Sequence, residues 1–402
     1  MVNFTFTEEQ ELFRKTVREF CEKYIAPRAR EIEEGKKIPS DIIAKMAELG
    51  LLGLTVSSEY GGIEADAVTA GIVGEELGRA DPTCATAVFY LVQASWGFIM
   101  NKYGKDEAKA EILPKVTSGK AFIGIATTEP EAGSDLVGMK SVARKEGDTY
   151  VLNGEKLYIS GVREVMEQME EGGGYLTLVK TAPELGARGM TFFYVPLKGT
   201  PGISTSLFEE MGRRGISTGG FKMENVRLPA KYVVGEENKG FYIAMEGFNY
   251  ARAIIAAVCA GAAMRAIEEA VEYAKQRKAF GKPIGKFEGI QFKLAEGYAK
   301  IDALRWLAYR ALWMFDKYQE GVYNPFEVTK VIAEAKLLGP KWAFEVVNDA
   351  LQVFGAYGYT TECIVEAALR GVRSYMWAEG SSEIMKIIIG RELFGKEFIP
   401  YK

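Results

Sequence analysis

The chain has 402 residues, 48% hydrophobic and 26% charged, an ordinary globular mix with core enough for two or three domains. Its net charge of -4, with no basic tail or arginine stripe, argues against nucleic-acid binding. It contains no histidine, which excludes Ser-His-Asp and Cys-His catalysis and any histidine metal site, and leaves proton transfer to a carboxylate, Lys, Tyr, Cys or a cofactor.

The first 120 residues read as helices. Thr7-x-x-Gln10 forms a capping box ahead of an apolar stripe of Leu12, Phe13, Val17 and Phe20. Pro39-Ser40 opens a second helix with Ile42, Ile43, Met46 and Leu49 on one face and Gly50 at its end. After a turn at 58–62, helical spacing resumes over Val68–Leu77, Ala85–Tyr103 and Glu107–Val116.

From Ala121 the period changes. Phe122, Ile123 and Ile125 begin a strand, and Val142–Lys145 and Tyr150–Asn153 flank Glu146-Gly147-Asp148, a hairpin signal. Strands are expected at Leu157–Ile159, Tyr175–Lys180, Met190–Val195 and Phe221–Val226. The spacing predicts an all-β barrel or sandwich over 121–235. Helical periodicity returns from Asn238, with helices over Tyr250–Arg277, Ile290–Glu320, Pro325–Gly355 and Cys363–Trp377 and a loop at 281–285. The expected architecture is α+β and multidomain: a helical domain (1–120), the β domain (121–235) and a C-terminal four-helix bundle (236–402).

No apolar run reaches the roughly 18–20 residues of a bilayer span, and the polar start (Thr5, Thr7, Glu8) does not read as a signal peptide. The isolated Cys21, Cys84, Cys259 and Cys363 share no metal spacing, so no metal and a reducing, cytoplasmic setting are expected. P-loop and strand-borne G-x-G-x-x-G signatures are lacking.

Five stretches carry chemistry. In Tyr375–Glu383 an apolar run delivers Glu379, then Gly380, Ser381 and Ser382. Apolar neighbours raise a carboxylate's pKa, as suits a base working near neutrality, although a capped helix start accounts for the same residues. Thr127-Thr128-Glu129-Pro130-Glu131-Ala132-Gly133-Ser134-Asp135 can offer N–H and hydroxyl donors, or be an ordinary turn. In Asn153–Gly161, Tyr158 and Ser160 would share a strand face, fit to stack on and bond a planar cofactor. Arg277-Lys278-Ala279-Phe280-Gly281 can hold phosphate, or cap a helix C-terminus. Gln352-Val353-Phe354-Gly355-Ala356-Tyr357-Gly358-Tyr359 suits close backbone approach to a nucleotide, or ends a helix.

Taken in order, these stretches resemble the acyl-CoA dehydrogenase flavoproteins end to end, with minor matches at Glu59–Gly62, Glu75–Arg79 and Met211-Gly212. The resemblance implies an FAD-dependent oxidation of an acyl-CoA to the trans-2-enoyl-CoA, with electrons passed to an electron-transferring flavoprotein. Glu379 matches the catalytic base. FAD would be held by Ile125, Thr127, Thr128, Gly133, Ser134, Tyr158, Ile159, Ser160, Ser381 and Glu383, with Ser160 facing flavin N5. Arg277, Phe280, Gln352, Val353, Gly355 and Ala356 would contact the FAD of a neighbouring subunit, which implies a homo-oligomer, usually a tetramer. Ser134, Asn249, Arg252 and Gly380 fall at substrate positions.

The chain departs from the family pattern at several places. Tyr158 stands for the usual Trp, Asn249 for a frequent Asp and Glu288 for a frequent Gln. Ala251 stands where some members carry the base, and Thr86 where glutaryl-CoA members carry an arginine, which disfavours a dicarboxylate substrate. Phe89, Tyr90, Val92, Gln93 and Trp96 are expected to set pocket depth. Val162–Gly174 reads as an inserted helical turn, with Val162, Val165, Met166 and Met169 on one face.

Overall fold

The computed structural model describes residues 4–398. The N-terminal helices are α1 (Glu8–Phe20), α2 (Ala29–Gly35), α3 (Ser40–Glu48), α4 (Ala67–Ala80), α5 (Ala85–Tyr103) and α6 (Asp106–Thr117). The capping box forms: Gln10 N–H donates to Thr7 Oγ1 (3.1 Å) and Thr7 N–H to Gln10 Oε1 (3.2 Å), a cap worth about 1 kcal/mol. Of the expected stripe, Val17 and Phe20 are buried and Phe13 packs against the core, whereas Leu12 is exposed; beyond Phe20 the chain continues through a wider turn over Cys21–Ile25 that buries Cys21. Helix α2, short and weakly patterned, is not anticipated by the sequence.

The middle of the chain is an eight-stranded sheet: β1 (Phe122–Ala126), β2 (Val142–Glu146), β3 (Thr149–Ser160), β4 (Gly173–Lys180), β5 (Met190–Pro196), β6 (Ile203–Phe208), β7 (Thr218–Pro229) and β8 (Val233–Val234). Its order is β6-β7-β3-β2-β4-β5-β8, with β1 parallel to β4. The β2–β3 hairpin closes as expected, Glu146 facing Thr149 across Gly147 at φ 63°. The two strands expected at Tyr150–Asn153 and Leu157–Ile159 are one. β3 runs through both, with irregular register against β7 at Leu152/Gly154 and at Leu157/Ile159. Each bulge re-aims the chain; the second carries Tyr158 at φ 58°. Edge strand β6 is not anticipated either, because its sequence, Ile-Ser-Thr-Ser-Leu-Phe, lacks a clean apolar alternation and lies exposed.

The C-terminal region contains α7 (Gly240–Gln276), a two-stranded ribbon of β9 (Lys278–Ala279) and β10 (Lys282–Pro283), α8 (Glu288–Gln319), α9 (Pro325–Val353), α10 (Ile364–Arg373) and α11 (Ser382–Phe394). Helix α7 begins ten residues before the expected Tyr250. Its small residues let backbones touch: a Cβ on Gly261 would collide with the Glu75 carbonyl, and one on Gly78 with that of Val258, so α4 packs directly against α7. The fourth long helix expected over Cys363–Trp377 breaks after Arg373 into a 3₁₀ turn at Ser374–Met376. Three long helices and two short ones thus replace the expected four, with α4 as an added wall.

The Val162–Gly174 segment is one helical turn, and Val162, Val165 and Met169 bury its inner face. Arg163 donates to the Lys36 carbonyl and Gln168 to that of Ile38 (2.7 Å), tying the sheet to the N-terminal helices.

Candidate active site

Where the sheet meets the bundle, the chain encloses a cavity of about 940 Å³. Helix α7 supplies one wall: Phe241, Met245, Phe248 and Arg252 recur at helical spacing and all line it. Of the residues expected to set pocket depth, only Val92 reaches the cavity. Trp96 is packed edge-on between Phe248 and Phe192, Tyr90 donates to the Ala70 carbonyl (3.0 Å), Gln93 accepts from Ile123 N–H (3.4 Å), and Phe89 packs against Phe122.

On the sheet side, the bulge in β3 turns Tyr158 outward, 66% exposed, with Phe208 stacked beside it at 5.3 Å and 27°. Ile159 and Ser160 follow along the same wall. Beside them lie Ile125, Thr127, Thr128, Gly133 and Ser134, the Thr128 carbonyl accepting the Leu157 N–H (2.9 Å). Gly133 faces open space, since an added Cβ would meet no atom within 4 Å. This loop is anchored by a buried ion pair, Lys156 Nζ to Glu129 Oε1 at 2.6 Å. Lys156 also donates to the Thr127 carbonyl (3.3 Å), and Glu129 accepts the backbone N–H groups of Lys140 and Ser141. An exposed aromatic plane, flanking hydroxyls and an open glycine loop fit a flat heteroaromatic cofactor.

Glu379 faces this space from the segment between α10 and α11. Its backbone is left-handed (φ 58°), and Gly380 follows at φ 103°. Two buried cations hold this turn. Arg252 Nε donates to the Glu379 carbonyl (2.7 Å), and Lys336 Nζ to the Gly380 carbonyl. Burial pushes the Glu379 carboxyl up to about 7, against the lowering pull of Arg252 and Lys336. Burial likewise pushes Lys336 down to about 7, with Arg252 adding to it. Glu379 Oε2 is buried without a hydrogen-bond partner, and among the described residues no acceptor faces its N–H. Lys336 is not singled out by sequence reasoning, although its place on the apolar stripe of Val328, Ile332 and Gly339 is a signal that a lysine there is buried for a reason.

The remaining expected site residues divide. Gly380 and Ser381 line the cavity, Ser381 capping α11 through Ile384 N–H (3.3 Å), while the Glu383 side chain points to Lys386 in solvent. Asn249 does not line the cavity: it accepts from Arg252 Nη1 (3.1 Å) and donates to Thr329 (2.9 Å), so it orients the arginine. Arg277, Phe280, Gln352, Val353, Gly355 and Ala356 are outside the cavity altogether. They form a separate face at the end of α7, where Tyr273 packs against Phe354 (4.8 Å) and Tyr357. Phe280 is 95% exposed there, whereas Val353 is buried and offers no side chain.

Three domain families match the chain consecutively: the acyl-CoA dehydrogenase N-terminal domain over residues 7–120, the middle domain over 124–226 and the C-terminal domain over 238–394. The chain belongs to the acyl-CoA dehydrogenase family. It is an oxidoreductase acting on CH–CH groups, and its cofactor is FAD, which suits the aromatic platform and hydroxyls just described. Among relatives of this acyl-CoA dehydrogenase family member, the 3-(aryl)acrylate reductase of Clostridium sporogenes is 37% identical, over 96% of this chain and 99% of its own. The butyryl-CoA dehydrogenase of Megasphaera elsdenii superposes with a TM-score of 0.89 at 32% identity, covering 98% of this chain and 100% of that one. A chain from the structure of the electron transferring flavoprotein of Acidaminococcus fermentans does so at 0.89 and 31%, covering 98% and 100%. Among the described residues no helix is long and apolar enough to cross a membrane.

Proposed function

We propose that this acyl-CoA dehydrogenase oxidises a saturated acyl-CoA to the trans-2-enoyl-CoA, with Glu379 as the base that removes the α-proton. The observation that carries the reading is the buried, unpartnered Glu379 Oε2 facing the cavity, on a carboxyl raised to about 7. Such a group is partly ionised at neutrality and strong enough to take a weakly acidic α-proton. Arg252 and Lys336 fix two successive carbonyls of the turn and so hold the carboxylate in place. The free Glu379 N–H is available to the thioester oxygen and would stabilise the charge that develops there. Phe241, Met245 and Phe248 keep water from the reacting carbons.

FAD, when bound, supplies the acceptor for the hydride that leaves Cβ. Tyr158 and Ser160 would hold its ring, and Thr127, Thr128, Gly133 and Ser134 its open edge and the substrate. Arg277, Phe280 and the 352–356 loop would reach a neighbouring subunit's FAD, which makes the protein a homo-oligomer, with a tetramer the expected form. The likeness to a chain found with an electron transferring flavoprotein supports such a flavoprotein as electron acceptor. The likeness to a 3-(aryl)acrylate reductase favours a second reading, in which the same site runs in reverse and protonated Glu379 returns a proton to Cα.

The test is Glu379→Gln. The variant is expected to keep FAD and bind acyl-CoA while losing at least ~100-fold in turnover. Near-normal turnover would remove Glu379 from the role of base.

A further inference from the structure

Arg213 lies between β6 and β7, in a turn that presses against α10: a Cβ on Gly212 would lie 2.6 Å from the Arg370 backbone carbon. The Arg213 backbone is left-handed, φ 51°, a conformation that a residue with a Cβ adopts only where its surroundings impose it. The turn sends the guanidinium back along the cavity wall instead of out to water. There it donates to Ser160 Oγ and to Thr218 Oγ1, both at 3.2 Å. These two residues face each other across β3 and β7, so the guanidinium sits against one register pair of the cofactor wall.

Among the described residues no carboxylate pairs with Arg213. Those nearby are engaged otherwise. Glu210 accepts the Thr218 N–H, and Glu164 accepts the Ser217 N–H and hydroxyl. Both carboxylates stay within electrostatic reach of Arg213, but neither contacts it, and the guanidinium stands in the cavity wall one hydroxyl away from the position assigned above to flavin N5. Burial works against the guanidinium more than those carboxylates support it, so a further negative charge arriving nearby is favoured.

We propose that Arg213 raises the reduction potential of the bound FAD by holding a positive charge close to a ring system that becomes negative on reduction. The inference rests on the proposed reading of Ser160 and the cofactor site. When an acyl-CoA is oxidised, its Cβ hydride carries two electrons to the flavin while its α-proton goes to Glu379. Neutral oxidised flavin thereby gains one negative charge, and the guanidinium favours that charged product in a site of low dielectric. A guanidinium whose charge is fully balanced by Glu210 and Glu164, serving only to brace two hydroxyls, would leave the potential alone.

The experiment is spectroelectrochemistry of the FAD-loaded protein without substrate, comparing the native chain with Arg213→Met and Arg213→Lys. Loss of the charge is expected to shift the oxidised–reduced equilibrium at least tenfold toward the oxidised form, about 30 mV more negative for a two-electron couple. The lysine variant, which keeps the charge, should lie closer to the native value. A methionine variant that binds FAD with an unchanged potential would overturn the proposal. So would a native potential that falls with pH at the slope of two protons per two electrons, because the reduced flavin would then be neutral. That slope, read on the native protein, can still overturn the proposal even if both variants fail to fold. A native protein that takes up no FAD would instead sink the cofactor assignment on which the inference rests.

Discussion

Replacing Glu129 by glutamine tests how the cofactor loop is held. Glu129 Oε1 lies 2.6 Å from Lys156 Nζ, with the two side chains 4% and 0% exposed. Burial opposes the charge on Glu129, but Lys156 and the hydrogen bonds from Ser141 and Lys140 outweigh it and hold the carboxyl below its usual range. Burial pushes Lys156 down to about 8, so the ammonium still predominates at neutrality. The Glu129→Gln change would keep the shape and an acceptor for the Ser141 N–H but strand that ammonium. Removing one partner of such a pair costs about 3–5 kcal/mol. At about 2–4 °C per kcal/mol for a unit of 150–250 residues, the melting temperature should fall by roughly 6–20 °C. Lys156→Met in the same chain removes the stranded charge, and the double variant should recover at least about half of the loss. The assays are thermal and urea unfolding followed by circular dichroism at fixed FAD concentration. The penalty's sign with pH is set by the depressed carboxyl. The stability is present above the unfolded carboxyl's pKa of about 4.5 and disappears as pH falls through the lower folded value, so the penalty of Glu129→Gln should shrink in acid. A single variant within about 1 kcal/mol of the native protein, or a double variant no better than the single, would refute the reasoning.

Single-turnover reduction should rise with pH through a midpoint near 7, the value to which burial pushes Glu379, and a flat profile would contradict this. Because the folded carboxyl titrates above the unfolded one, ionising it costs stability as pH climbs from about 4.5 to about 7. Glu379→Gln should therefore melt no lower than the native protein at pH 8; a clear drop there would count against the assignment. Lys336→Met removes the donor to the Gly380 carbonyl and a positive charge beside Glu379. The rate midpoint should move up by about one unit and the rate fall about tenfold, with Lys336→Arg restoring part of it; an unmoved midpoint would refute the clamp. Arg277→Ala with Phe280→Ala should weaken FAD retention about tenfold or more without altering the cavity. Light scattering alongside would expose the contrary case, a monomer that keeps FAD as the native protein does.

Much of the fold was legible because its signals are local. The Thr7-Gln10 capping box, the Gly147 hairpin and the Pro325 helix start each act over three or four residues. Failures came where distant packing decides. Phe241, Met245 and Phe248 carry no signal of their own in sequence, since only the packing of α7 along the cavity gives them a role. The exposed β6 becomes a strand because β7 pairs with it. The base was legible as a carboxylate in an apolar run ended by glycine. Its clamps were not, since Arg252 reaches a carbonyl 127 positions away and Lys336 one 44 positions away. Asn249 falls among the substrate contacts by its neighbours in sequence, but its amide is engaged by Arg252 and Thr329. Arg213 is silent in sequence because its meaning lies in a left-handed turn and in the absence of a directly contacting carboxylate among the described residues.

The central claim is that an acyl-CoA thioester loses its α-proton to Glu379 while its β-hydride reduces FAD. The most direct measurement is an anaerobic titration of the FAD-loaded protein with short, branched, long and aryl acyl-CoAs, followed by its visible spectrum. The account predicts that at least one class bleaches the flavin band of the native protein, and that Glu379→Gln binds the same thioester without bleaching. A native protein that holds FAD and is bleached by no acyl-CoA, or a Glu379→Gln variant that bleaches as fast as the native chain, would contradict it.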